Sequence, residues 1–270
     1  MATPKNTPKE ASVAPITGAA LFYSSPEPLH AQTHAKMGLR RVDRPFAFAE
    51  KSQAVPLTVS EFIIASLSFP IIFAGDRHQP LGIMGVLTDT NMFIEPNGYF
   101  SAGVYVPAYI RRYPFVLAAN DSREQLVVCI DKEAAMLGDL PDLPFFDPAG
   151  VATEYTKGCI QFCNDYEVEV RRTESFIALL TELDLFETRK TTYRPTNPDG
   201  TQGPEQNLAE YFAVSEDKLK ALPEAKLHEM MQNGALRQIF AHLNSLEQFD
   251  KLVNVTLMRQ STAPVGGALN

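Results

Sequence analysis

The sequence predicts an α+β fold: a small, mostly antiparallel sheet in the first half of the chain and long amphipathic helices in the second. Two observations predict it. As far as residue 135, the apolar residues come in short runs separated by Pro, Gly, Asn and Asp, the pattern of strands joined by turns. From residue 149 onward they recur at spacings of three and four, the pattern of a helix with one buried face.

Composition bounds the rest. At 270 residues the chain is long enough for one large domain or two small ones with a sizeable core. A hydrophobic fraction of 45% and a charged fraction of 21% are ordinary for a soluble globular protein. A formal charge of −8 argues against a general nucleic-acid binder. The three cysteines, Cys129, Cys159 and Cys163, are few and odd in number, which favours reduced thiols in a cytoplasmic compartment over a disulfide framework. The most apolar stretch, residues 62–75, is broken by Ser66, Ser68 and Pro70 and falls short of the ~20 residues that span a bilayer, so no membrane insertion is expected. Lys5 and Lys9 precede a mildly apolar stretch interrupted by Pro15, Thr17 and Gly18, a weak export signal at best.

In chain order, residues 1–20 read as a disordered arm, 21–138 as the sheet-rich part and 139–148 as a proline-rich linker. Residues 149–258 read as the helix-rich part, packed on the first as one unit, and 259–270 as a frayed tail. His30 and His34 stand four apart, a spacing that could hold a metal on a helix, but without an acidic or thiol ligand close in sequence they read as part of a solvated loop. Residues 45–49 alternate large and small as a strand does. Residues 60–67 read as a short helix with Thr58 or Ser60 as its cap. Strands follow at 71–74, 81–87 and 91–94, and a hairpin at 115–119 and 125–130. The second half predicts a long helix over 149–185, with Gly158 its weak point, and a hairpin from 186–193 and 208–214. Short helices open at Ser215 and Pro223, and one long helix covers 235–258.

Residues 104–115 pack three tyrosines, two prolines and a double arginine into twelve positions. Pro107 suits the first turn of a short helix, and Pro114 stops it at Tyr113. If the stretch is helical, Tyr105, Tyr109 and Tyr113 share a face and stand as an aromatic wall beside Arg111 and Arg112. Guanidinium groups grip carboxylates and stack on rings, so these five residues are the candidates for binding an acidic or aromatic ligand or a protein partner. The competing reading is a packed corner of the sheet with its arginines paired internally.

Catalytic patterns are missing. No glycine-rich phosphate loop, no H-E-x-x-H, no His-x-Asp/Glu pair and no G-x-S-x-G elbow occurs. Cys159 and Cys163 lie one helical turn apart with Tyr155 and Tyr166, and read as packing residues rather than a redox or metal pair. No catalytic residue, metal or cofactor is therefore assigned.

The run from Tyr105 to Phe115 resembles the signature of the bacterial SapC-like family. Flanking segments fit as well: Phe69 to Phe73 before it, Val128 to Asp131 after it, the helix around 171–185, and Ile239 to Leu246 near the end. The resemblance covers roughly residues 45–255. It implies a soluble protein without an assigned activity, and a partner or accessory role beside halogenase-like or oxygenase systems linked to outer-membrane receptor uptake. A permease label carried by some members conflicts with the absence of a spanning segment, and a surface-layer role conflicts with the weak export signal and the thiols. The expectation is a non-catalytic binding or accessory protein. The alternatives are an enzyme of unrecognised type, with Arg111, Arg112 and a tyrosine in its site and His78 or His242 as base, or a surface-layer-associated protein. The long helices could pack within one chain or between two copies.

Overall fold

A computed structural model describes residues 21–87, 89–119, 126–193, 201, 203 and 206–262. The expected N-terminal arm, the turn at 120–124, most of the loop at 195–206 and the residues after 262 lie outside the described residues.

In chain order the strands are β1 (Pro26–Pro28), β2 (Gly38–Leu39), β3 (Ala54–Pro56), β4 (Ile71–Ala74), β5 (Gln79–Ile83), β6 (Phe115–Ala119) and β7 (Leu126–Asp131). They continue with β8 (Leu137–Gly138), β9 (Leu143–Pro144), β10 (Phe186–Tyr193) and β11 (Gln206–Val214). The helices are α1 (Phe62–Ala65), α2 (Ala108–Arg111), α3 (Glu154–Glu182), α4 (Glu216–Lys220), α5 (Glu224–Gln232), α6 (Ala235–Ser245) and α7 (Gln248–Thr262). All strand pairs are antiparallel, and with the helices they make the fold α+β, as the sequence predicts.

The described residues divide into two compact units, one built from those of 21–42 and 112–167, the other from those of 43–111 and 168–262. In the first unit, β1, β7 and β6 form one sheet and β8, β2 and β9 a second. The strand period of two sends Phe115, Leu117, Val128 and Ile130 to one face of the β6–β7 hairpin, where they pack with Leu137, Phe145 and Cys163. Val116, Ala118 and Cys129 go to the other face, with Tyr23. Both faces are therefore buried, which is why this hairpin reads as continuous apolar runs.

In the second unit the strand order is β10-β11-β4-β5-β3. The hairpin of the second half is thus the outer part of a sheet begun in the first half, joined where Phe212 pairs with Phe73. Phe62 on α1 meets Phe73 at 6.1 Å and Phe176 on α3 at 6.0 Å, an aromatic core between helices and sheet.

Four local expectations are corrected. Residues 45–49 are not a strand: Ala47–Ala49 form a 3-10 turn, held by bonds such as Ala49 N–H to the Phe46 carbonyl at 2.9 Å. Ala47 and Ala49 favour a helical turn, and the Phe46 ring is satisfied edge-on against Phe100 at 5.2 Å. The strand expected at 81–87 starts and ends earlier, at Gln79 and Ile83, because the N–H groups of Met84 and Gly85 both turn to the Gln53 carbonyl. Residues 91–94 contribute only a single bridge, Ile94 to Phe100. The helix expected over 235–258 is two helices. Ser245 Oγ donates to the His242 carbonyl at 2.6 Å, and the Leu246 N–H, which would have used that carbonyl, bonds to Leu243 instead. The ladder is interrupted there and α7 begins at Gln248.

Gly158, by contrast, is passed without a break, since α3 runs through it.

Candidate functional site

The structure gives the Tyr/Arg stretch two anchors, each a buried carboxylate. The first is Glu61, 5% exposed, at the end of a 3-10 turn (Val59–Glu61). Its Oε2 accepts the backbone N–H and the Oγ1 hydroxyl of Thr58, both at 2.8 Å. Its Oε1 accepts the Tyr105 hydroxyl at 2.9 Å and the Ala108 N–H at 2.7 Å, the latter an orphan donor at the start of α2. One carboxylate therefore closes the turn before α1 and the first turn of α2. Ser68 completes the link by accepting the Tyr105 N–H at 3.0 Å.

On this base sits Arg111. Its side chain is exposed, yet Nε donates to the Val106 carbonyl at 3.0 Å and Nη2 to the Tyr105 hydroxyl at 3.2 Å. Its guanidinium carbon lies 5.8 Å from the Tyr105 ring centre. Burial first, then the Glu61 carboxylate, push the Tyr105 phenol up to about 12, with Arg111 acting in the opposite direction. At neutral pH the phenol keeps its proton and donates it to Glu61.

Arg112 belongs to the first unit and is buried. Its guanidinium carbon lies 4.4 Å from the Tyr166 ring centre and 5.7 Å from that of Tyr23, a cation between two rings. Tyr113 sits beside Tyr23, with ring centres 5.4 Å apart, and donates its hydroxyl to Asp131 at 3.2 Å. Asp131 is the second anchor, 1% exposed, and also accepts the N–H groups of Ser24 and Ser25 at 3.1 and 2.8 Å. Burial and Asp131 raise the Tyr113 phenol well above its ordinary range. Tyr23 Oη is spent on the Phe115 carbonyl at 2.7 Å.

The aromatic wall expected from helical spacing does not form. Only Ala108–Arg111 are helical, so Tyr105 precedes the helix and Tyr113 follows it, while Tyr109 is buried at 7% exposure. The stretch brings Tyr105 to Arg111, and puts Arg112 with Tyr23 and Tyr166. Glu61 went unread in the sequence, although Thr58-Val59-Ser60-Glu61 is a capping-box pattern that could have found it. Nothing local marks Tyr23 or Tyr166 as neighbours of Arg112.

Three of the five histidines, His242, His78 and His34, have packing or hydrogen-bonding roles. His242 is fully buried: Nδ1 donates to the Ile71 carbonyl at 2.9 Å and Nε2 accepts the Val214 N–H at 3.1 Å. It ties β4 to β11, whose Cα pairing is confined to Phe212 and Phe73. Burial, opposed in part by the Ile71 carbonyl, lowers its pKa from 6.5 to about 4. Because the folded value lies below the unfolded one, this neutral ring contributes its full stability above pH 6.5 and loses it as pH falls toward 4, by about 3 kcal/mol. The expected result is that melting temperature falls more steeply between pH 6.5 and 4.5 in the wild type than in His242→Gln; equal slopes in chemical or thermal denaturation would contradict the assignment. His78 stacks on Phe186 at 4.1 Å. His34 is buried and its Nε2 meets Glu27 Oε1 at 2.9 Å, so it pairs with an acid and makes no metal pair with His30. Burial also raises the thiols of Cys129 and Cys163 to about 11 and raises that of Cys159, so all three stay protonated at neutral pH. All three are free. Among the described residues no group of three or more His, Cys, Asp or Glu could hold a metal ion, and no helix is long and apolar enough to cross a membrane.

No curated protein and no solved structure matches this chain. A family model does: the one described as SapC matches residues 29–252, a span that holds both carboxylate anchors, the tyrosine–arginine stretch and His242. On that match over most of its length, the chain belongs to the SapC family.

Proposed function

We propose that this SapC-family chain is a non-catalytic binding or accessory protein, and that Arg111 carried on Tyr105 is its contact. The observation that supports this reading is the exposed guanidinium held by Val106 and Tyr105. An arginine fixed before encounter loses less side-chain freedom on binding than a mobile one, which makes it a better anchor. Its planar fork suits a carboxylate of a protein partner or of a small acidic or aromatic ligand. The other polar groups of the stretch are committed inward. Tyr105 and Tyr113 donate to buried carboxylates and hold their protons at neutral pH, so they are poor bases. His242 has both ring nitrogens on backbone groups. A partner of the halogenase-like or oxygenase type, in the cytoplasm, is the one the family resemblance points to.

The test is comparative capture. Wild type and Arg111→Glu, each immobilised after matched melting curves, are exposed to a native extract. A partner retained by the wild type and lost with Arg111→Glu is the expected result. Retention of the same proteins by both, or turnover of a small molecule by the purified chain that Arg111→Ala abolishes without unfolding it, would overturn the reading.

A further inference from the structure

β10 is the outermost strand of the sheet in the second unit, and among the described residues no strand pairs with its outer edge. The ladder to β11 fixes which backbone groups face outward. Phe186 stands opposite Val214, and the Ser215 N–H bonds to the Leu185 carbonyl at 2.8 Å. Residues 187, 189 and 191 therefore bond to β11, while Phe186, Thr188 and Lys190 turn their N–H and C=O groups away from it. In keeping with this, the Phe186 carbonyl takes a side chain and not a strand, accepting Lys218 Nζ at 2.9 Å. A register shift between Thr191 and Thr192 ends the regular edge.

Strand edges are commonly guarded by charges that repel a second strand. On β10 the charges are matched. Lys190 Nζ lies 3.0 Å from Oε2 of Glu210, directly opposite on β11, and Arg189 Nε lies 2.7 Å from Glu187 Oε1. That second bond uses one of the three guanidinium nitrogens, and both side chains are only half-buried. Thr188, between them, is exposed.

A strand that meets its own copy across a two-fold axis must set outward residues against outward residues, so the axis passes through a single residue. Centred on Glu187, Arg189 or Lys190, the axis would put two like charges face to face. Centred on Phe186, it would run half the pairing off the start of the strand. Centred on Thr188, it sets Thr188 against Thr188, Phe186 against Lys190, and Glu187 against Arg189 on both sides of the axis. Opposite charges then face each other twice.

We propose that the β10 edge is a self-association surface, through which two copies of this chain join their sheets antiparallel about a two-fold axis at Thr188. Ladder bonds form between the two Thr188 residues and, at each end, between Phe186 and Lys190. The Phe186 carbonyl has a second lone pair beside the one that Lys218 uses. Glu187 of each copy meets the open side of the Arg189 fork of the other. The surface shares no residue with the Tyr105–Arg111 contact, and either reading can fail alone.

Sedimentation velocity on the full chain, up to about 200 μM, covers the weak affinities that a single strand pair gives. A reversible monomer–dimer equilibrium is expected. Glu187→Arg and Arg189→Glu each turn both cross-strand contacts repulsive and are expected to weaken the dimer at least about ten-fold. The double variant Glu187→Arg/Arg189→Glu is expected to restore it to within about three-fold. Thr188→Pro removes an N–H that β11 does not use and is expected to abolish dimerisation, while Thr188→Ala leaves it within about three-fold. Melting curves separate lost pairing from lost folding, and the charge swap decides if Thr188→Pro melts early. A chain that stays monomeric throughout would overturn the proposal. So would a dimer left unchanged by Glu187→Arg and Thr188→Pro in folded protein, or a double swap that fails to restore it.

Discussion

Replacing Glu61 by alanine is expected to cost about 3 to 4 kcal/mol of stability, the largest effect of any single change in the candidate site. Four donors converge on that carboxylate: two from Thr58, one from Tyr105 and one from Ala108. Truncation leaves the Thr58 and Ala108 N–H groups buried without an acceptor and removes the tie between the turn before α1 and the start of α2. Glu61→Gln keeps the shape but presents an amide N–H₂ where two of the four donors point, so an intermediate loss is expected. Urea denaturation of the three proteins checks the order. A Glu61→Ala variant within about 1 kcal/mol of wild type would show that the network holds nothing together.

The second large effect is expected at Arg112. Truncation to alanine removes a buried cation from between Tyr166 and Tyr23 and leaves a void beside them. The expected loss is about 3 kcal/mol, a fall in melting temperature of about 10 °C. Arg112→Lys should restore little, because an ammonium cannot lie flat between two rings. Arg111→Ala is expected to cost less than about 1 kcal/mol, since that side chain is exposed. The two adjacent arginines are thus expected to separate cleanly in a melting experiment. Equal effects would mean that both are structural, and a silent Arg112→Ala would mean that the ring sandwich contributes nothing.

Much of the architecture was legible because local rules decided it. The apolar runs at 71–74 and 115–119 are β4 and β6 as read, and Pro107 and Pro114 bracket the single helical turn of α2. Pro223 opens α5, and the spacing of three and four marks α3. What could not be read depends on residues far apart in sequence. The pairing of β11 with β4 rests on residues 73 and 212 meeting. The break between α6 and α7 rests on Ser245, which also accepts the Ile71 N–H at 2.9 Å from β4. Alternation misled at 45–49, where the alanines favoured a turn over a strand.

The candidate site divides in the same way. Its five residues were visible as a dense, costly stretch, but which arginine faces outward was not, because Arg112 is claimed by Tyr23 and Tyr166, 89 and 54 positions away. The assumption of a continuous helix would have placed the three tyrosines together. The structure ties the stretch down at two buried acids, Glu61 and Asp131, and leaves Arg111 at the surface.

The dissociation constant of a captured partner or ligand, measured against wild type and Arg111→Ala at matched stability, tests the central claim most directly. A well-placed arginine anchor predicts a loss of about 2 kcal/mol on truncation, roughly 30-fold in affinity, with unchanged melting. An unchanged dissociation constant would contradict the account and leave Arg111, like Arg112, a structural residue.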